Sequence, residues 1–276
     1  MRRRGVPGPT AAVLLLMGIV AIFAGTLAPY SPIEVRMEAA LRPPWFVQGG
    51  DWTYPLGTDH LGRDLLSRMI WGARISLGIA GLAIGLAATL GTMLGLVAGY
   101  SRGWTSALIM RIVDVMLTFP AILLALLFTV TIGPSVWSVV AILVLVLWAR
   151  FARLVRGEVL GLRERDFVKY AQILGLSPVQ IAWRHLGPNL INTVVVLATL
   201  QLGFAIIVEA SLGFLGAGVP PPTPTWGAMV AGGRTYLETA WWIAVFPALA
   251  IVLAVLTFNL FGDWVRDALD PRLRQF

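Results

Sequence analysis

Side chains able to do chemistry are few in this 276-residue chain and widely spaced. Asp59, His60 and Asp64 fall within six positions and have the donor types of a metal site. They also sit where a helical pattern begins, and we read them as capping and hydrogen-bonding that helix. The other histidine is His185, far along the chain. Lys169 is the single lysine and follows Val168, so no G-x-x-x-x-G-K-[ST] loop exists to cradle nucleotide phosphates. With no cysteine, disulfides, thiolate nucleophiles and zinc–sulfur or iron–sulfur sites drop out. Two carboxylates remain inside long apolar stretches, Asp114 and Glu209. Arg111, three residues before Asp114, is spaced to pair with it, which favours a structural ion pair over a substrate contact. Glu209 has no such neighbour, and helix-end anchoring and pathway lining both remain open for it.

The elements that position these residues follow from composition. Hydrophobic residues make up 58% of the chain and charged residues 13%, with a mean hydropathy of +0.81. Such a chain cannot present an ordinary water-facing surface. We expect an all-α, polytopic membrane protein. Apolar stretches of the length needed to cross a hydrocarbon core occur at 11–29, 75–100, 112–132, 135–151, 191–215 and 240–262, predicting six transmembrane helices. No run alternates with the period of two that a membrane barrel requires. Gly81, Gly85, Gly91, Gly95 and Gly99 recur mostly every fourth residue, so the second span is expected to pack closely inside a bundle.

The chain divides into residues 1–10, a first span at 11–29, a segment at 30–74, a core at 75–262 containing a polar loop at 152–190, and a tail at 263–276. The first span is read as a retained anchor and not a cleaved leader: it is longer than a typical signal core, and Pro29 follows the cleavage-like Thr26-Leu27-Ala28. At 61–70, Leu61, Leu65 and Met69 recur every fourth residue, with Arg63, Asp64 and Arg68 opposite, predicting an amphipathic helix at the membrane interface. Placing the amino terminus in the cytoplasm assigns fifteen Arg and Lys residues to that side and six to the other. By the positive-inside rule both termini and the polar loop are then cytoplasmic. The formal charge of +7 is mostly topological, because the basic residues flank spans and do not form one face for nucleic acid.

The most informative stretch is RERDFVKYAQILGLSPVQIAWRHLGPN, residues 163–189. Asp166 fits an N-cap for a short helix carrying Phe167, Tyr170, Ala171 and Leu174 on one face, and Gly175 stands where a left-handed residue ends it. Ser177, Pro178 and Gln180 then read as an N-cap, N1 proline and N3 partner of a capping box, with Leu176 and Ile181 spaced as a hydrophobic staple. Gly187 and Pro188 are expected to stop this second helix. A hook so punctuated, between membrane spans, suits docking to another protein.

This hook resembles the EAA loop of ABC-importer permeases, whose pattern is Glu-Ala-Ala, three residues, Gly, nine residues, then Ile-x-Leu-Pro. Ala171, Gly175 and Pro188 match; Lys169, Tyr170, His185 and Gly187 depart, Lys169 replacing an acidic residue with a basic one. PLGTDHLGRDLLSRMIWGARISL at 55–77, RIVDVMLTFPAILLALL at 111–127 and EASLGFLGAGVPPPTPTWGAM at 209–229 resemble the dipeptide/oligopeptide/nickel branch, in particular its second, C-type permease subunit. The resemblance implies a type I importer core in the cell membrane of a prokaryote. Its partners would be a second homologous permease, two cytoplasmic ATP-binding subunits and an external substrate-binding protein. ATP would bind those subunits, leaving this chain neither a cofactor nor an enzymatic activity. The hook residues Phe167, Lys169, Tyr170, Ala171, Leu174, Gly175, Leu176 and Pro188 would couple to the ATPase. Peptides are the commonest cargo of the branch, with nickel or another small solute as the alternative. A secondary transporter would also be a helical bundle, but inverted repeats with matched broken helices are not found.

Overall fold

The computed structural model describes residues 8–269. Arg2, Arg3 and Arg4, together with Arg272 and Arg274 counted above, lie outside the described residues, as do parts of the 1–10 and 263–276 segments. Among the described residues the structure is helical, with only an isolated bridge between Thr58 and Asp64.

The first apolar stretch forms α1 (Gly8–Ile22) and a short α2 (Ala24–Leu27), separated at Phe23. A lobe with little regular structure follows and leads into α3 (Leu65–Tyr100), a helix of 36 residues. Asp64 caps α3 by accepting the Ser67 backbone N–H at 2.7 Å. Burial pushes the Asp64 carboxyl above its ordinary value, opposed by the hydrogen bonds from Ser67. No separate interfacial helix precedes this span, contrary to expectation. Residues 65–74 are its first turns, and nothing in the sequence interrupts helix between Leu65 and Tyr100. The amphipathic pattern reflects burial against protein: Leu65, Ser67, Arg68 and Gly72 are buried, and Arg68 donates to the Pro32 carbonyl at 2.8 Å.

α4 (Trp104–Thr118) and α5 (Ala121–Ile132) meet at an angle of 99°. The span expected at 112–132 is therefore broken. Pro120 cannot donate a backbone hydrogen bond and drives Phe119 into extended backbone, at φ −79° and ψ 140°. Then come α6 (Val136–Leu162), the hook helices α7 (Asp166–Ile173) and α8 (Pro178–Ile181), a π-turn at Ala182–Leu186, and α9 (Gly187–Phe214). α10 (Trp226–Gly233) and α11 (Trp242–Leu269) complete the described chain.

By length and composition four helices can cross a membrane, or five if α4 and α5 form one bent span. The six expected spans are not confirmed among the described residues, where α1, 15 residues from the first described position, is apolar but shorter than a span. The central contact is α3 against α6. A Cβ at Gly91 would lie 2.4 Å from the Trp148 carbonyl oxygen, one at Gly95 2.6 Å from that of Ala152, and one at Gly99 2.6 Å from Val159 Cβ. Gly81 and Gly85, expected to share this role, face open space. The main core joins α3, α6 and α9; a second cluster lies under the hook, and a third joins the lobe to α10 and α11. The lobe and the hook thus stand at opposite ends of α3.

Candidate coupling site

The hook is built by its punctuation. α7 starts at Asp166 with Arg165 as N-cap, so Asp166 is the first helical residue and not the cap; its charge there still suits the positive end of the helix. The helix closes in a Schellman turn. Gly175 has φ +77°, its N–H reaches the Gln172 carbonyl at 3.0 Å, and the Leu176 N–H reaches that of Ala171 at 3.1 Å. Ser177 and Gln180 form the expected reciprocal capping box with Pro178 in the first turn. Gly187 and Pro188 do not stop the helix. The chain runs helically from Pro178 to Phe214, and the π-turn accommodates the missing proline donor: the Gly187 N–H reaches back five residues to Ala182, while Asn189 Nδ2 covers the His185 carbonyl at 2.6 Å.

Burial divides the hook residues into two sets. Val168, Ala171, Ile181, Leu186 and Leu190 are buried against Val155 and Val159 of α6, and Leu176 turns toward the same cluster. Residues 152–162 are accordingly the last turns of α6 and not loop. Phe167, Tyr170 and Leu174 stay exposed with Lys169, Gly175 and Pro188, Leu174 at 78%. The face expected to hold Phe167, Tyr170, Ala171 and Leu174 together therefore loses Ala171 to the core. Ile173, Val179 and Trp183 are also exposed apolar side chains at this end, and Ile173 reaches 79%. Sequence reasoning missed them, although Ile173 adjoins Leu174 and Val179 follows Leu176 by three residues. Lys169 lines a polar recess with Tyr100, Arg102, Arg163, Glu164 and Gln172.

The other singled-out residues lie elsewhere. Asp114 pairs with Arg153 of α6, not with Arg111, because α4 lies along α6 and turns the carboxylate across the gap. Glu209 is 1% exposed, surrounded by α3, α9 and α10. The hydroxyls of Ser76 and Thr225 lie beside it, yet neither carboxyl oxygen has a well-aligned hydrogen bond. Around it, Trp226 donates its backbone N–H to Ser76 Oγ at 3.3 Å and its indole N–H to the Met69 carbonyl at 3.1 Å. Asp59 accepts from the Leu61 and Arg63 backbone N–H groups and pairs with the Arg63 and Arg68 side chains at 2.7 and 3.4 Å. Its oxygens thus brace the lobe onto α3. His60 stacks on Tyr236 with ring centroids 5.4 Å apart.

A bundle of membrane-length helices thus carries an exposed, capped hook at one end of α3. Residues 91–275 match the model of the binding-protein-dependent transport system inner membrane component family, and the chain belongs to that family. It is 42% identical over 261 residues to the di/tripeptide transport system permease protein DppC of Pseudomonas aeruginosa, covering 95% of this chain and 86% of that one. To the Escherichia coli K12 dipeptide transport system permease protein DppC it is 42% identical over 275 residues, covering 99% and 91%. The glutathione transport system permease protein GsiD of Escherichia coli is also 42% identical, over 273 residues, covering 99% and 88%. In fold it is similar to a chain of the inward-facing MetNI methionine ABC transporter, with TM-score 0.59 and 21% identity, covering 75% of this chain and 96% of that one.

Proposed function

We propose that this chain is one permease subunit of an ATP-driven importer of short peptides. It would work in a prokaryotic cell membrane beside a second permease, two ATP-binding subunits and an external binding protein. The observation that carries this reading is the hook: a helix–glycine–helix unit whose inner face is fixed to α6 and whose outer face exposes Phe167, Tyr170, Ile173 and Leu174. The near full-length likeness to two dipeptide permeases supports the cargo.

The exposed apolar residues would seat in a groove of an ATPase, where their burial drives docking. When the ATPase pair closes on ATP the hook is displaced, and the unbroken helical path from Pro178 to Phe214 transmits that displacement to the far end of α9. The bundle would then exchange inward and outward openings, with the chemistry residing in the partner subunits. ATP-dependent uptake of a labelled dipeptide by proteoliposomes holding the assembled complex and its binding protein tests this. Uptake driven by an ion gradient without ATP would instead mark a secondary transporter.

The hook has its own check. A Cβ at Gly175 meets nothing within 4 Å, so Gly175→Val should act only through the left-handed backbone, at a cost of about 1–2 kcal/mol. Uptake and transport-linked ATP hydrolysis should fall while membrane insertion persists. Normal coupling in this variant would refute the hook as the transmitting turn.

A further inference from the structure

Arg150 was counted above among the residues flanking a span, and the structure places it within α6, facing α9. It stands 14 residues after the start of α6 and 12 before its end. Its guanidinium donates from Nη1 to Gln201 Oε1 at 3.2 Å, and Gln201 stands 14 residues after the start of α9 and 13 before its end. Measured along either helix, the pair lies about 20 Å from both ends, and Val155 of the hook cluster follows Arg150 by about 8 Å, so the pair stands on the hook side of the bundle.

A charge within a membrane-spanning helix is expensive unless it faces water, protein or an opposite charge. Arg150 has no carboxylate at ion-pairing distance among the described residues; the neighbouring Arg153, by contrast, is paired with Asp114. Instead the Arg150 guanidinium lies over the Phe204 ring, 4.0 Å from its centroid, and is only half-buried. The ring and the Gln201 oxygen hold it in one orientation. Gln201 itself is 8% exposed, and its Nε2 is buried without a hydrogen-bond partner. The Oε1 that accepts from the arginine keeps one lone pair, so the pair offers donors in excess: the remaining guanidinium N–H groups and Nε2. Donors in excess with a net positive charge fit a carboxylate, which accepts two parallel N–H bonds from a guanidinium.

We propose that Arg150 and Gln201 form an anion-binding step on the hook side of the transport path, which takes the terminal carboxylate of a passing peptide. The cargo named here rests on the peptide-importer reading above. The carboxylate is the one anionic group that every unmodified peptide presents, whatever its side chains.

The test uses the assembled complex in proteoliposomes with its binding protein. Uptake of a dipeptide with neutral side chains is compared with uptake of its C-terminal amide, at concentrations that load the binding protein equally. The unaltered complex should prefer the free acid. Arg150→Gln should lower uptake of the free acid about tenfold or more and change uptake of the amide less than twofold, so the preference disappears. Arg150→Lys should retain part of it. An unchanged preference in Arg150→Gln, or an equal fall for both cargoes in an intact complex, would overturn the proposal. The equal fall would point to an arginine pairing with the second permease or with a lipid phosphate. Should Arg150→Gln fail to assemble, Gln201→Leu decides: it keeps the charge but frees the guanidinium, so a reduced preference supports the anion site and an unaltered one refutes it. Absence of ATP-dependent uptake of either peptide by the unaltered complex would refute the peptide reading and this cargo with it. Uptake without discrimination refutes only the anion site.

Discussion

Glu209 and Arg150 lie on adjoining elements of one bundle and are charged by type, but their surroundings assign them different work. Glu209 is enclosed where α3, α9 and α10 meet, beside Ser76 and Thr225, and has no cation partner among the described residues. An unpaired carboxylate costs more to bury than an amide of the same shape. Glu209→Gln should therefore leave the thermal midpoint of the purified complex within about 2 °C of the unaltered one, or raise it. Any loss of transport should fall equally on free and amidated dipeptides, because Glu209 is walled off from cargo by protein. A drop in midpoint of more than about 5 °C would show that an ionised carboxylate holds the three helices together. The sequence disclosed that Glu209 is costly but not which helices enclose it, since that enclosure depends on α10 folding back onto α9. For Asp114 the local spacing to Arg111 suggested one partner, and tertiary packing supplied Arg153 instead. Arg150 gave no signal at all, because arginines beside a span are ordinary and its contacts with Gln201 and Phe204 come from the packing of α6 on α9.

At the scale of elements, backbone contact between α3 and α6 is the most demanding feature. At Gly95 an added Cβ would meet the Ala152 carbonyl oxygen and Val155 Cβ at 2.6 and 2.9 Å, whereas at Gly85 it would meet nothing. Gly95→Leu should force the helices apart and destabilise the chain by about 1–3 kcal/mol or more, and Gly85→Leu should leave its own fold intact. Thermal unfolding of the two variants, followed by loss of monodispersity in detergent, reads the difference directly. Equal stability would mean that these helices do not touch as described. The glycine period was plain in the sequence, but period alone cannot divide one helix between a packed stretch and an open one. The hook was legible almost residue by residue because its Schellman turn and capping box depend on local chemistry. Its end was not, since a proline after glycine ordinarily terminates a helix and only the π-turn lets it continue.

For the whole molecule, the lobe and the hook lie at opposite ends of α3, so fixing the side of one fixes the other. Arginine and lysine crowd the hook end, from Arg102 through Arg184 to Arg266. A reporter fused after Gln275 should be active in the cytoplasm, and one inserted near Gly50 should be active only outside. The opposite pattern from both fusions would invert the molecule and remove the hook from any cytoplasmic ATPase. Membrane residence and helical class were readable from composition, but the continuity of the spans was not: apolar length does not reveal a 99° bend at Pro120. The π-turn also limits how such proteins can exchange parts. A π-turn holds one residue more than an α-turn, so a residue removed from 182–186 would let ordinary α-helical bonding close up while Gln201 and Glu209 keep their faces, whereas the same deletion in the regular turns of α9 would rotate everything beyond it by about 100°. Hooks transplanted between relatives should therefore tolerate a difference of one residue at this turn and at no other point along α9.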